Sequence, residues 1–376
     1  MSFRRAARAA LAGRSRVSWI LAAVLIVLTG VFLSCGGSSG SSSASHNAYL
    51  TLPQKGTVAL LHLNDSTGAV SLGAETPPVV GTSPTGLALD ASKKFLYVGN
   101  AAANTVSIFN VADDGTLTQN GAATPVGSGP RSLVIDPSGK YLLITNNFAN
   151  SVSVFSVGNG SLTAVGDFPA GSSPTDLKIS SVGSFVYVAN SNTGFITALT
   201  LNTTNGNLAP VADSPFPAGA GVSGLAIDSG SNFLYAANTS DNTISAYTID
   251  PGTGGLKPIS GSPYGLGTAT APRSIAIDPS GAFLYVASQT SNNVSAFTIK
   301  AGTGELNPIN SGTPFPAGTK PVFVLAEPAG KFLYVGNQDS TNVTGFSYDA
   351  TTGALTAISG SPFTVGSAPG AMFIVH

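Results

Sequence analysis

The chain has 376 residues, of which 9% are charged and 43% hydrophobic, with 45 glycines, 24 prolines and a single cysteine. Short apolar runs punctuated by turn formers suit a turn-rich β protein, and one cysteine excludes an intramolecular disulfide. The formal net charge of -1 hides a split: Arg4, Arg5, Arg8, Arg14 and Arg16 crowd the first residues, leaving 11 basic against 17 acidic side chains beyond them. Nothing after residue 34 forms the basic patch that a phosphate backbone requires, so no nucleic-acid partner is expected.

Residues 1–34 read as an export signal. Five arginines without an acid precede a mostly apolar run from Val17 to Leu33, the charged and greasy pattern of a targeting segment. The run ends in Phe32-Leu33-Ser34-Cys35, which resembles the lipobox of bacterial lipoproteins, with Phe where Leu is usual. That resemblance implies lipidation of Cys35 and a membrane lipid as partner. The alternative is an uncleaved signal anchor. Residues 35–46, opening with Gly36-Gly37-Ser38-Ser39-Gly40, form a flexible tether. Gly36 is not the acid that retains enterobacterial lipoproteins at the inner membrane, which points to an outer membrane or cell surface.

From residue 47 onward one word organises the chain. It appears as Phe95-Leu96-Tyr97-Val98-Gly99-Asn100 and returns with its third residue at 143, 187, 235, 285 and 334. A repeat of about 47 residues, apolar in its core and bounded by turns, signals a repeat architecture of small sheets. In the unit beginning at Pro130, Ser132 to Asp136 is an inner strand and Pro137-Ser138-Gly139 a tight turn. Tyr141 to Thr145 is the second strand and Ser151 to Val157 the third. Asn159-Gly160 then marks the hairpin to an outer strand, Ser161 to Val165.

The termini complete each other. Ala48 to Leu52 and Thr57 to Leu63 supply the second and third strands of a unit lacking its first, and Pro369 to His376 matches a first strand and stops. A stacked solenoid has two ends to cap, whereas a ring needs a closure, and this sequence carries one. The expectation is an all-β, seven-bladed propeller of four-stranded antiparallel blades over residues 47–376, with Phe373 beside Tyr49.

In such a ring the inner strands line the axis. One face carries Arg131 and Arg273 at the starts of inner strands, with Asn146, Asn147, Asn190 and Asn238 in or beside the following loops. These six are the ligand-binding candidates, suited to a carbohydrate, peptide or envelope protein, with the arginines available for a carboxylate. The asparagines recur blade after blade, which favours a structural role in capping loops. Asp90, Asp136, Asp228 and Asp278 also recur, but each precedes its own turn and the spacing fits no calcium loop, so neither metal nor other cofactor is expected. Histidines are limited to His46 in the tether, His62 and His376. No nucleophile elbow or phosphate loop is present, and no catalytic residue can be named.

The words at Phe95 and Phe185, with turns such as Asp136-Pro137-Ser138-Gly139, resemble the YVTN-type β-propeller repeat. The wider group is the seven-bladed lactonase-like propellers, which include 6-phosphogluconolactonases. Its lactonase members commonly carry Pro-Arg-His at the start of an inner strand and a Glu after the second-strand Asn. Here Pro130-Arg131-Ser132 and Pro272-Arg273-Ser274 keep the arginine and lose the histidine. Ala101, Asn147, Ser191, Thr239, Gln289 and Gln338 stand where the acid would. The reading is a lipid-anchored propeller that binds or scaffolds without chemistry; the alternative is a lactonase-like hydrolase of a sugar-derived lactone.

Overall fold

Each repeat becomes one antiparallel sheet, and blade 3 shows how. The structure, a computed structural model, describes residues 44–77, 83–182 and 184–375. In blade 3 the inner strand Pro130–Ile135 pairs with Tyr141–Asn146, then Ser151–Gly158 and the outer Ser161–Pro169 follow in order. Asp136 ends the inner strand, and its carboxylate accepts from the Lys140, Tyr141 and Ser138 N–H groups at 2.8, 2.6 and 3.0 Å. Gly139, at φ +73°, lets the chain reverse. Asp278 does the same in blade 6, accepting from Phe283 and Ser280 N–H at 2.7 and 3.0 Å. The recurring aspartates are thus occupied by backbone donors of their own turns.

Seven such sheets form the ring. Blade 1 joins Val70–Glu75, Thr57–Asn64 and Ser45–Leu52 to the inner strand Met372–Ile374, with Ala48, Tyr49 and Leu50 opposite Ile374, Phe373 and Met372. The closure expected from the two termini is the closure observed. The first strand starts at Ser45, three residues before the expected Ala48, and His46 pairs with Leu63 within the sheet instead of lying in a tether. A contact of 2.6 Å between His46 Nδ1 and Asp65 Oδ1 holds this extension. The remaining inner strands are Pro84–Leu89, Pro174–Ile179, Val222–Ile227, Pro272–Ile277 and Pro321–Ala326 in blades 2, 4, 5, 6 and 7.

The outer strand is continuous in blades 1 and 3 but broken in the other five, as in blade 5, where Leu256–Pro258 and Tyr264–Gly265 both pair with Thr243–Ile249. Prolines there cannot donate to the ladder. A serine bridges the break: Ser262 Oγ accepts the Ala246 N–H at 2.9 Å, and Ser214 and Ser361 do so for Ala198 and Gly345 at 2.9 and 3.0 Å.

The repeated word carries the contacts between blades. Tyr49, Tyr187, Tyr235, Tyr285 and Tyr334 are fully buried. Their hydroxyls donate to the carbonyls of Gly115, Gly254, Gly304, Gly353 and Gly68 at 2.9, 2.9, 2.8, 3.0 and 3.0 Å, each in the next blade's outer hairpin. The last of these crosses from blade 7 to blade 1. The aromatic that opens the word covers the same glycine: a Cβ at Gly304, φ +71°, would meet the Phe233 ring at 2.5 Å. Tyr97 is different. The Asn120 amide already donates to the Gly160 carbonyl at 2.9 Å, and the buried Tyr97 hydroxyl has no partner among the described residues.

Candidate functional site in the axial channel

Residues from all seven inner strands, or the loops beside them, line a cavity of about 530 Å³ on the axis. Each inner strand of blades 2–7 enters with a β-bulge next to its first residue. In blade 6, Pro272 faces Ser288 and Ser274 faces Ala287, so Arg273 is the extra residue; in blade 3 the same irregularity spans Arg131 and Ser132. A bulge re-aims the side chain it displaces. Thr85, Thr175 and Ser223 hold this position in blades 2, 4 and 5. Their hydroxyls bond Pro130 O at 2.9 Å, Val222 O at 3.4 Å and Pro272 O at 3.3 Å, tying each inner strand to the next. Arg131 and Arg273 replace that tie with a guanidinium. Among the described residues, neither guanidinium has a hydrogen bond or ion pair.

Small residues make room for both. A Cβ at Gly86 would meet the Arg131 carbonyl at 2.5 Å, and one at Gly224 the Arg273 carbonyl at 3.0 Å. The two arginine-bearing strands therefore each pack against a glycine of the preceding blade. Burial pushes the Arg131 guanidinium below its ordinary value, and the charge of Asp176 opposes that shift.

Asp176 is the carboxylate of the channel wall. It accepts from Ser132 Oγ at 2.8 Å, from its neighbour Leu177 N–H at 2.9 Å and from Leu225 N–H of blade 5 at 3.0 Å. Lys178 Nζ lies 3.0 Å from both oxygens. Asp176 thus links blades 3, 4 and 5 and is saturated with donors. Around it the lining holds Arg131, Lys178 and Arg273, an excess of positive charge. Across the axis, Val322, Phe323, Leu325 and Met372 make an apolar wall. Such a chamber has one side for an anionic or carbonyl oxygen and another for a carbon face.

The six candidates divide. Arg131 and Arg273 line the channel, whereas Asn146, Asn190 and Asn238 are 0%, 1% and 0% exposed and sit inside their blades. Their amides meet third-strand hydroxyls: Ser153 at 2.7 Å, Thr197 at 2.9 Å and Ser245 at 2.9 Å. Asn147 clamps blade 3 to blade 4, donating to Ser173 Oγ and Pro174 O at 3.0 Å. Gln289 and Gln338, in the place of the family's acid, do line the channel. The serines in the histidine's place face inter-blade partners: Ser132 donates to Asp176, and Ser274 Oγ accepts the Val324 N–H at 3.1 Å. His62 contacts Asn47 at 3.0 Å and does not line the channel. Cys35 and His376 lie outside the described residues.

Sequence reasoning passed over Asp176 and Lys178. The signal was present: the residue two after the strand's start is Gly86, Ser132, Gly224, Ser274 and Phe323 in the other full units, and acidic only at 176. Among the described residues no group of three His, Cys, Asp or Glu side chains is gathered to hold a metal ion.

A closed seven-bladed ring around an axial chamber defines the class as a seven-bladed β-propeller. Within it the chain belongs to the family described as "Lactonase, 7-bladed beta-propeller", which matches residues 41–159, 137–223, 211–325 and 316–372. Among solved structures it is similar to a Bacteroides fragilis protein provisionally assigned as a 6-phosphogluconolactonase. The two share 22% identity at a TM-score of 0.78, over 90% of this chain and 99% of that one. It is also similar to the periplasmic gluconolactonase of Pseudomonas aeruginosa: 17% identity, TM-score 0.75, covering 89% of this chain and 99% of that one. Identities this low speak to the fold. No curated protein matches the chain.

Proposed function

We propose that the axial channel binds a sugar-derived lactone, or the carboxylate formed when it opens, and that lactone hydrolysis is the activity this site supports. The pair of unpartnered guanidinium groups on bulges of a cavity of about 530 Å³ carries the proposal. In the reaction the lactone carbonyl oxygen accepts from Arg131 or Arg273, water adds to the carbonyl carbon, and the ring C–O bond breaks. The alkoxide so released takes a proton and the new acid gives one to solvent. Positive charge held where the oxyanion develops lowers that barrier. The apolar wall at Phe323 and Met372 faces the carbons of the ring, and Asp176 orients Ser132 and Lys178.

Binding without turnover is the second candidate, and one observation favours it: Asp176, bonded to three donors and Lys178, has no free position from which to take a proton. Gluconolactone offered to the purified protein separates the two. Turnover that falls on Arg131→Gln and Arg273→Gln supports hydrolysis. Gluconate binding that falls on the same changes, with no turnover, supports the binding module. Loss of neither leaves the channel without either role.

Export and anchoring through Cys35 are part of the same proposal. The sequence of residues 1–35 supports them, and no helix among the described residues is long and apolar enough to cross a membrane. Metabolic labelling with a fatty acid, compared with Cys35→Ser, tests the anchor. Fractionation of the envelope tests placement at the outer membrane or surface.

A further inference from the structure

Blade 6 departs from its neighbours at its outer edge. In blades 4, 5 and 7 the serine of a Ser-Pro pair accepts a third-strand N–H. Blade 6 has Thr313-Pro314 there, and its loop from Ile309 to Phe315 is one residue longer than Ile259 to Tyr264. Among the described residues no side chain accepts the Ala296 N–H. The connection entering blade 6, Tyr264 to Pro272, is likewise two residues longer than Phe216 to Val222. Between these two enlarged segments lies a cavity of about 230 Å³.

Its wall combines two polar groups with an apolar body. Ser295 is 5% exposed and its hydroxyl has no partner among the described residues. The equivalent hydroxyls of Ser107, Ser153, Thr197, Ser245 and Thr344 each meet the asparagine amide that ends the second strand. Blade 6 has Ser288 in place of that asparagine, and its hydroxyl is unpartnered too. Buried hydroxyls and amides are rarely left so. Leu266, Phe297 and Ile309 supply the rest of the wall, and no charged residue lines it.

We infer that this cavity is a second binding site, for a small neutral molecule carrying one hydroxyl or carbonyl oxygen on an apolar body. The oxygen accepts from the Ala296 N–H and bonds the Ser295 hydroxyl, while a single ring or short chain packs on Leu266, Phe297 and Ile309. A charged ligand would be desolvated with nothing to pair it. The volume is below the roughly 300 Å³ at which pockets for drug-sized molecules begin, which limits the body to about one ring.

Benzyl alcohol is the probe, titrated into the full chain by calorimetry and soaked into crystals. Deleting Asn310 and changing Thr313→Ser gives blade 6 the Ile-Ser-Gly-Ser-Pro loop of blades 5 and 7 and is expected to weaken binding about tenfold or more. Ser295→Ala is expected to weaken it several-fold without lowering the melting temperature, because the hydroxyl has no protein partner to lose; it carries the test should the loop variant fail to fold. Benzoate is expected to bind at least about tenfold more weakly than the alcohol. Equal binding to the repaired loop or to Ser295→Ala, equal binding of benzoate, or crystals showing only water against Ala296 would overturn the assignment.

Discussion

The second strands and the inner strands lie side by side in every blade and behave oppositely. Second strands repeat one word, because Phe and Tyr at its first and third positions make the contacts that hold a blade to the next: the ring over a glycine, the hydroxyl on its carbonyl. Inner strands share only a frame. At the bulge the residue is Thr85, Thr175 or Ser223 where it ties strands together, and Arg131 or Arg273 where it does not. Repetition marks what every interface needs, and departure from it marks where the axis gains side chains of its own.

The largest effect should come from breaking the frame at its closure. Ending the chain before Pro369 removes the inner strand of blade 1 and the pairing of Met372, Phe373 and Ile374 with Leu50, Tyr49 and Ala48. The melting temperature is expected to fall by more than about 10 °C, with loss of a single cooperative transition by calorimetry.

Alkali attacks the same frame through the tyrosines. Burial, helped by Asp114 and Asp90, raises Tyr49 and Tyr97 from 10.0 to about 12, and burial raises Tyr187, Tyr235, Tyr285 and Tyr334 further. The unfolded chain releases these protons from pH 10 upward while the folded chain retains them. Their stabilisation is therefore complete below pH 10 and lost as pH rises through 12 and beyond. Denaturant midpoints should fall across pH 10 to 12, with phenolate absorbance at 295 nm appearing together with unfolding rather than before it.

At the axis the contrast sharpens. Arg131→Gln or Arg273→Gln should weaken binding of an anionic ligand roughly tenfold to a hundredfold, the worth of a charged hydrogen bond. Neither should shift the melting temperature appreciably, since neither guanidinium has a partner among the described residues. Thr175→Val, at the equivalent bulge, should do the reverse, costing about 1 kcal/mol of stability by denaturation.

The smallest effect separates two tyrosines. Tyr334→Phe loses the bond to the Gly68 carbonyl and is expected to cost about 1 kcal/mol, whereas Tyr97→Phe removes an unpartnered buried hydroxyl and is expected to be neutral or slightly stabilising. Chemical denaturation of the pair measures the difference.

The frame was legible because it is repeated. Phe-x-Tyr at near-constant spacing and a strand missing at one end but present at the other determine blade number and closure. The site was legible only in part. Arg131 and Arg273 stand out beside a conspicuous proline, but Asp176 stands within an otherwise ordinary inner-strand word, and its reach to Ser132 and to Leu225 depends on the two blades beside it. Asn190 and Asn238 look like loop residues in sequence; pairing with Phe195 and Thr243 draws them into the strand ends, where third-strand hydroxyls take their amides. The broken outer strands of blades 4, 5 and 7 are hidden because a serine hydroxyl replaces a ladder group across the Ser-Pro break, an exchange that leaves no periodic trace.

Calorimetric titration of gluconate into the wild-type protein and into Arg131→Gln/Arg273→Gln tests the axial site most directly. Saturable binding to one site per chain, lost in the double variant while its melting temperature holds, is the predicted result. Unchanged affinity in a folded double variant would place the ligand elsewhere and contradict the assignment of the channel.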